Sequence, residues 1–408
     1  MKKPCEDLLD IFQVALLSVN GHAVVKKELE EFIYPDEFHV IAIGKAADSM
    51  CQGIPTERIK TALVISKHGH FTEKLQQDSR IICIESDHPV PKKNSVYAGK
   101  ALLQFLKGLP ENEPCLFLIS GGASALVEVL EDDWSLQQLQ ALTDYLLANA
   151  YPINEINAIR QRLSKIKGGG LWSYIGKRSV YCLIISDVPD DNPEFIGSGL
   201  LFPSKQNTVV KLPEKWQSKF KPFSNEVHFV EGREDFHWKI IASLAIAKEA
   251  AAIRAKELAY QIRIVPEFLQ SEASKAAIDC VTLMNKELNT LFIWGGETTV
   301  YLPKNAGMGG RNQHLALAAA IEMKEGNDSA LLAAGTDGTD GLTTATGAIV
   351  DNQTVKRGVN QGLKAADYLK RADSHSFFQK TDGLIVTGAT GTNVMDLVLG
   401  ISGYDPDR

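Results

Sequence analysis

The stretch FHVIAIGKAADSM, residues 38–50, is apolar at almost every position until it stops at Gly44, where a lysine and a run of helix-forming residues follow. A strand covered on both faces needs apolar residues at consecutive positions, not only at alternate ones. The same pattern recurs in TALVIS (61–66), IICIES (81–86), CLFLIS (115–120), VYCLIIS (180–186), EVHFV (226–230) and QIRIV (261–265). It continues in TLFIWGG (290–296), TVYL (299–302), ALLAAG (330–335) and GLIVTG (383–388). Helical patterns lie between these runs. In SLQQLQALTDYLLANA (135–150), Ser135 and Gln138 have the spacing of an S-x-x-Q capping box. Alternation of this kind over the whole chain predicts α/β layers built on parallel strands.

At 408 residues the chain has room for two domains. The polar segment 203–225, punctuated by Pro203, Pro213 and Pro222, breaks the rhythm and reads as the crossing between them. This divides the chain into residues 1–225 and 226–408. A net charge of −7, with no basic stripe, argues against a nucleic-acid partner. The six cysteines form no C-x-x-C pair, and no apolar run reaches the roughly 18 residues a membrane span needs. Glu6, Asp7 and Asp10 interrupt the apolar start, whose spacing is that of an amphipathic helix, not a signal peptide. The expected setting is cytoplasmic, without a membrane.

The polar residues of interest sit where strands end. Lys45 follows Gly44, and an ammonium beside free helix amides suits a phosphate oxygen. Ser120, Gly121, Gly122 and Ser124 form a small-residue turn after CLFLI whose N–H groups can cradle an anion. Arg160 and Lys167, seven apart, fall on one helix face. Asp187 stands at the tip of VYCLII, placed to accept a hydroxyl proton or to hold Mg²⁺, while Asp190 and Asp191 read as turn residues. In GMGGRN (307–312), Gly309 and Gly310 lead Arg311 into a helix, where its fork suits a carboxylate or phosphate. Asp337 and Asp340 belong to the loop GTDGTDG, and Thr390 and Asn393 to TGATGTN. Gly-rich turns after three strands suggest one shared cleft.

Several chemistries are absent from the sequence. It has no Walker A loop, no G-x-S-x-G elbow, no EF-hand loop and no zinc ligand set, and GMGGRN lacks the third glycine of a dinucleotide fingerprint. Cations and backbone amides for phosphates, with one carboxylate for a hydroxyl, match phosphoryl transfer.

These motifs, together with GKAA, SDHPVP, INAIRQRLSKIKGGGL, ISDVPDDNPEFIGSG, GGETTV, GAIVD and TGATGTNVMDL, follow the order found in bacterial glycerate 2-kinases. The chain resembles these kinases, which carry a MOFRL-type C-terminal domain and are also labelled hydroxypyruvate reductases, from about residue 5 to 401. The resemblance implies ATP-dependent phosphorylation of D-glycerate to 2-phosphoglycerate with Mg²⁺. It implies a Rossmann-like, doubly wound N-terminal domain, a smaller C-terminal α/β domain and an active site in the cleft between them. Lys45, Asp187 and Arg311 would be the catalytic residues, and the other named groups would bind substrate or nucleotide. A homodimer is compatible with it. The chain departs from the family pattern at Ala123, Gly170, Leu200 and Met395, which bears on acceptor choice, so a related hydroxy acid stays open. Two further alternatives are a reductase of hydroxypyruvate and a non-catalytic sensor, but a sensor would have no need of Asp187.

Overall fold

The computed structural model describes residues 3–149, 151–203, 210–220, 234–323 and 328–403. The chain folds as two compact units, Gly21–Ile241 and Met1–Asn20 with Ala242–Arg408. The 225/226 division read from the sequence, and the strand expected at 226–230, lie outside the described residues.

In the unit Gly21–Ile241, six strands form one sheet: β1 (Phe38–Ile43), β2 (Ile59–Lys67), β3 (Ile81–Ser86), β4 (Cys115–Ile119), β5 (Val180–Ile185) and β6 (Phe236–Ala242). Their order is β3-β2-β1-β4-β5-β6, and β1 to β5 run parallel. This is the doubly wound Rossmann order. Its winding reverses between β1 and β4, which opens a crevice at their carboxyl ends. The helices cover both faces, so β1 and β4 are buried at every residue, as their unbroken apolar runs require. A satellite core gathers Leu139, Leu142, Ile159 and Val210. There Trp216 stacks on Trp134 at 6.2 Å, which fixes the described part of 203–225 to this unit. The helix Leu136–Ala148 starts with the expected capping box: Gln138 N–H donates to Ser135 Oγ at 3.3 Å, and Ser135 N–H to Gln138 Oε1 at 3.0 Å.

The second unit holds β7 (Gln261–Ile264), β8 (Thr290–Gly296), β9 (Ala330–Gly335), β10 (Gly347–Asp351), β11 (Leu384–Ile385) and β12 (Asp396–Ser402), in the order β11-β10-β9-β12-β8-β7. Only β7 and β8 pair in parallel, and every other pair is antiparallel. This corrects the parallel sheet expected from the apolar runs. Coverage, not direction, makes those runs continuous. Gly295 abuts Leu244 of the helix Leu244–Glu257, while on the other face Trp294 and Gly400 pack at Met284 of the helix Ala273–Met284. TVYL is not a strand: it is a loop with Tyr301 92% exposed. No single described helix is long and apolar enough to cross a membrane, and all six cysteines are free thiols.

Candidate active site

The crevice between β1 and β4 is where the sequence placed its phosphate ligands. Ser120 N–H donates to Ile43 O at 3.0 Å, and Lys45 N–H to Gly121 O at 2.9 Å, so the two strand ends are laced together. Ala46 N–H donates to the buried Ser120 Oγ at 3.1 Å. Lys45 stands two residues before the short helix Ala47–Gln52. The N–H groups of Gly121 and Gly122 donate to no described residue. Gly122 takes the left-handed φ of +83°, and a Cβ there would come within 3.0 Å of the His88 ring and 3.3 Å of the Lys45 side chain. Both facts call for glycine. The outcome is a half-buried lysine whose side chain flanks a turn with two successive N–H groups that no described residue engages, a geometry suited to an oxyanion.

Asp187 follows β5, and the adjoining register puts it level with the glycine turn, because Ile119 pairs with Ile184. It is partly exposed, next to the buried Ser186. Asp191 closes a turn on Val188 at 3.3 Å, as turn residues do. The loop then folds back: Ser198, with φ +59°, meets Ser124 Oγ-to-Oγ at 2.6 Å. Ser198 was not foreseen; the Gly-Ser-Gly of 197–199 was its only signal.

Arg160 and Lys167 do come together, but not by helical spacing. The helix Ile153–Arg162 ends before Lys167, which turns inward to form an ion pair with Glu128, both side chains having no exposure. Burial pulls the Lys167 ammonium down from its ordinary pKa against the attraction of Glu128, with Arg160 close enough to add to the fall. Glu128 stands four residues after Ser124, and nothing in the sequence marked it as the counter-charge.

The other unit carries the remaining candidates. Arg311 is held by carboxylates of its own unit: Nε donates to Asp396 at 2.5 Å, Nη2 to the other Asp396 oxygen at 3.1 Å, and Glu297 lies 2.7 Å from Nη2. Burial works against its charge, yet these partners hold its pKa above the ordinary value. The buried Asp396 is pushed up by desolvation to about 6, with Arg311 opposing. Asp340 accepts from Asn312 N and Gln313 N at 3.0 and 2.8 Å, and from both of their side-chain amides at 3.3 and 2.9 Å. It therefore caps the helix Arg311–Glu322. Gly310 is glycine because a Cβ would fall 2.3 Å from the Asp340 carboxyl carbon, and one on Gly309 would fall 2.5 Å from Ser374 Oγ. Asp337 accepts from Thr339 N–H at 3.0 Å, Thr390 Oγ1 donates to Thr336 O at 2.5 Å, and Asn393 is buried.

Fold and site define an α/β protein with a lysine and a glycine turn at a doubly wound switch point. Residues 7–226 match the profile of the domain of unknown function DUF4147, and residues 290–396 that of the MOFRL family. The chain is 34% identical to the D-glycerate 2-kinase of Thermotoga maritima over 96% of its own length and 97% of the relative's. It is 35% identical to the glycerate 2-kinase of Pyrococcus horikoshii over 91% and 89%. It superposes on the crystal structure of the glycerate kinase from Thermotoga maritima with a TM-score of 0.85 at 30% identity, covering 98% of this chain and 100% of that one. The chain belongs to the glycerate kinase family.

Proposed function

We propose that the protein transfers the γ-phosphoryl group of ATP to the 2-hydroxyl of D-glycerate. The observation that carries this reading is the cradle at the β1/β4 switch point, where the Lys45 side chain flanks the Gly121–Gly122 turn, whose N–H groups donate to no described residue. Phosphoryl transfer asks a protein mainly to position its reactants and to compensate charge on the equatorial oxygens, and this cradle supplies both. Asp187, one strand over, takes the proton of the attacking hydroxyl. The names carried by the relatives support the same reaction.

Among the described residues no three His, Cys, Asp or Glu converge to hold a metal. Mg²⁺ commonly binds through one or two carboxylates, with waters and substrate phosphates in its other positions. Carried in on the ATP phosphates, with water in its other positions, the ion would offset charge on the phosphate oxygens, and Asp187 is left as the proton acceptor. The residue missing from the family pattern at Gly170 has no space here: a Cβ there would lie 2.4 Å from Lys165 O.

The test is ADP release with ATP, Mg²⁺ and D-glycerate, with enolase added. Enolase-dependent phosphoenolpyruvate is expected. ADP without it overturns transfer to carbon 2, and no ADP overturns D-glycerate as acceptor. Lys45→Ala should lower kcat/KM by at least about 100-fold, the scale of a lost charge on the transferring group, with melting unchanged.

A further inference from the structure

Among the described residues, Arg160, Lys167 and Glu128 form a cluster of two cations and one anion. Lys167 and Glu128 satisfy each other in complete burial. Arg160 has no such partner: its Nε is sealed from solvent without a hydrogen bond, and no described residue pairs with its guanidinium. Among the described residues Glu128, already bound to Lys167, is the carboxylate whose charge reaches it. Arg160 as a whole is only half-buried, so an anion can reach the rest of the guanidinium and offset the cost of a cation left without a counter-ion.

The segment is tied to the turn proposed to hold the phosphoryl group. Gln161, the next residue, donates through Nε2 to Ser198 O at 3.3 Å. Gly168 N–H donates to the same oxygen at 3.0 Å, and Ser198 Oγ meets Ser124 Oγ at 2.6 Å.

We propose that the Arg160 guanidinium receives the carboxylate of the hydroxy-acid substrate. This rests on the phosphoryl-transfer reading for the identity of the acid, not for the presence of the anion site. Charge favours a carboxylate: the cluster carries one excess positive charge, and a carboxylate brings one negative. Its two oxygens match the guanidinium fork. Phosphate has its own donors at Lys45, Gly121 and Gly122. Lys167, whose ammonium is enclosed against Glu128, acts as a positioning residue.

The experiment is calorimetric titration of D-glycerate, its neutral analogue D-glyceramide, and ATP into wild type, Arg160→Gln and Arg160→Met, with melting curves for each. D-Glycerate binding should weaken about 100-fold or more in both variants, as when one partner of a desolvated charge pair is lost. ATP binding should change less than threefold, and the wild-type preference for glycerate over glyceramide should vanish. Without ligand the variants should melt at or above the wild-type temperature, because an unpaired buried charge has been removed; a structural arginine would lower it. If neither variant folds, Arg160→Lys keeps the charge but loses the fork, and should weaken glycerate about tenfold. Unchanged glycerate affinity, or a loss falling on ATP, overturns the inference. So does a wild type that binds none of D-glycerate, tartronate and L-lactate. Arg160-dependent glycerate binding by a wild type that releases no ADP would keep the inference and sink the kinase reading.

Discussion

At the residue scale, Arg311 shows what a sequence can mark and what it leaves out. The position was conspicuous, a fork-shaped cation behind glycines at a helix start. Its partners, Asp396 and Glu297, lie in motifs that were read for other reasons, and no local pattern announces a contact across 85 residues. The pair has a pH signature. Asp396 has a folded pKa of about 6 against an ordinary 3.8, with burial the main cause. The folded protein therefore holds this proton more tightly than the unfolded chain does. The associated stability is full below pH 4 and is lost as pH rises through 6. Asp396→Asn cannot titrate. Wild-type stability relative to that variant should fall by about 3 kcal/mol between pH 4 and 7. Denaturant melts of both proteins across this range check it, and parallel curves would mean that Asp396 keeps an ordinary pKa.

At the element scale, strands buried on both faces were legible, while the parallel direction expected of them held for β1 to β5 and failed in most of the second sheet. An apolar run records that helices lie above and below, as they do in both sheets, and says nothing of which way its neighbours run. TVYL had strand-forming residues, but only Val300 packs against the core while Tyr301 and Leu302 stay exposed, so it stayed a loop. DLVLGIS, interrupted by Gly400, went unread although it became the inner strand β12. The helix Arg311–Glu322 answers why glycines stand before Arg311. Its N-cap, Gly310, has no side chain to accept from the first turn, and Asp340 from another loop takes that place. A carboxylate there meets the positive end of the helix dipole. Asp340→Ala strips four donors of their acceptor and should cost about 2–4 kcal/mol. In thermal melts that is a fall on the order of 5–15 °C. An unchanged melting temperature would leave the cap without energetic weight and return Asp340 to the pool of ligand-binding carboxylates.

At the scale of the whole molecule, the chain leaves and re-enters one unit. The first helix, Lys3–Ser18, packs on the helix Leu244–Glu257 and on β9 and β12, strands more than 300 residues away in sequence. The amphipathic spacing of its apolar residues was legible, but a boundary drawn along the chain carries no signal of which sheet they cover. Leu8, Ile11, Phe12 and Ala15 are at most 2% exposed, Asp10 pairs with Arg254 at 2.7 Å, and Tyr260 donates to Asp7 at 2.6 Å. Burying three large side chains contributes about 5–9 kcal/mol, comparable with the stability of a whole domain. Phe12→Ala alone should cost about 3–5 kcal/mol, and the loss should be local to one unit. Hydrogen exchange on this variant should quicken along β8, β9 and β12 while β1 and β4 keep their protection. Equal quickening in both sheets would show that the two units unfold as one, and that the stability of the first sheet depends on a helix it does not contain.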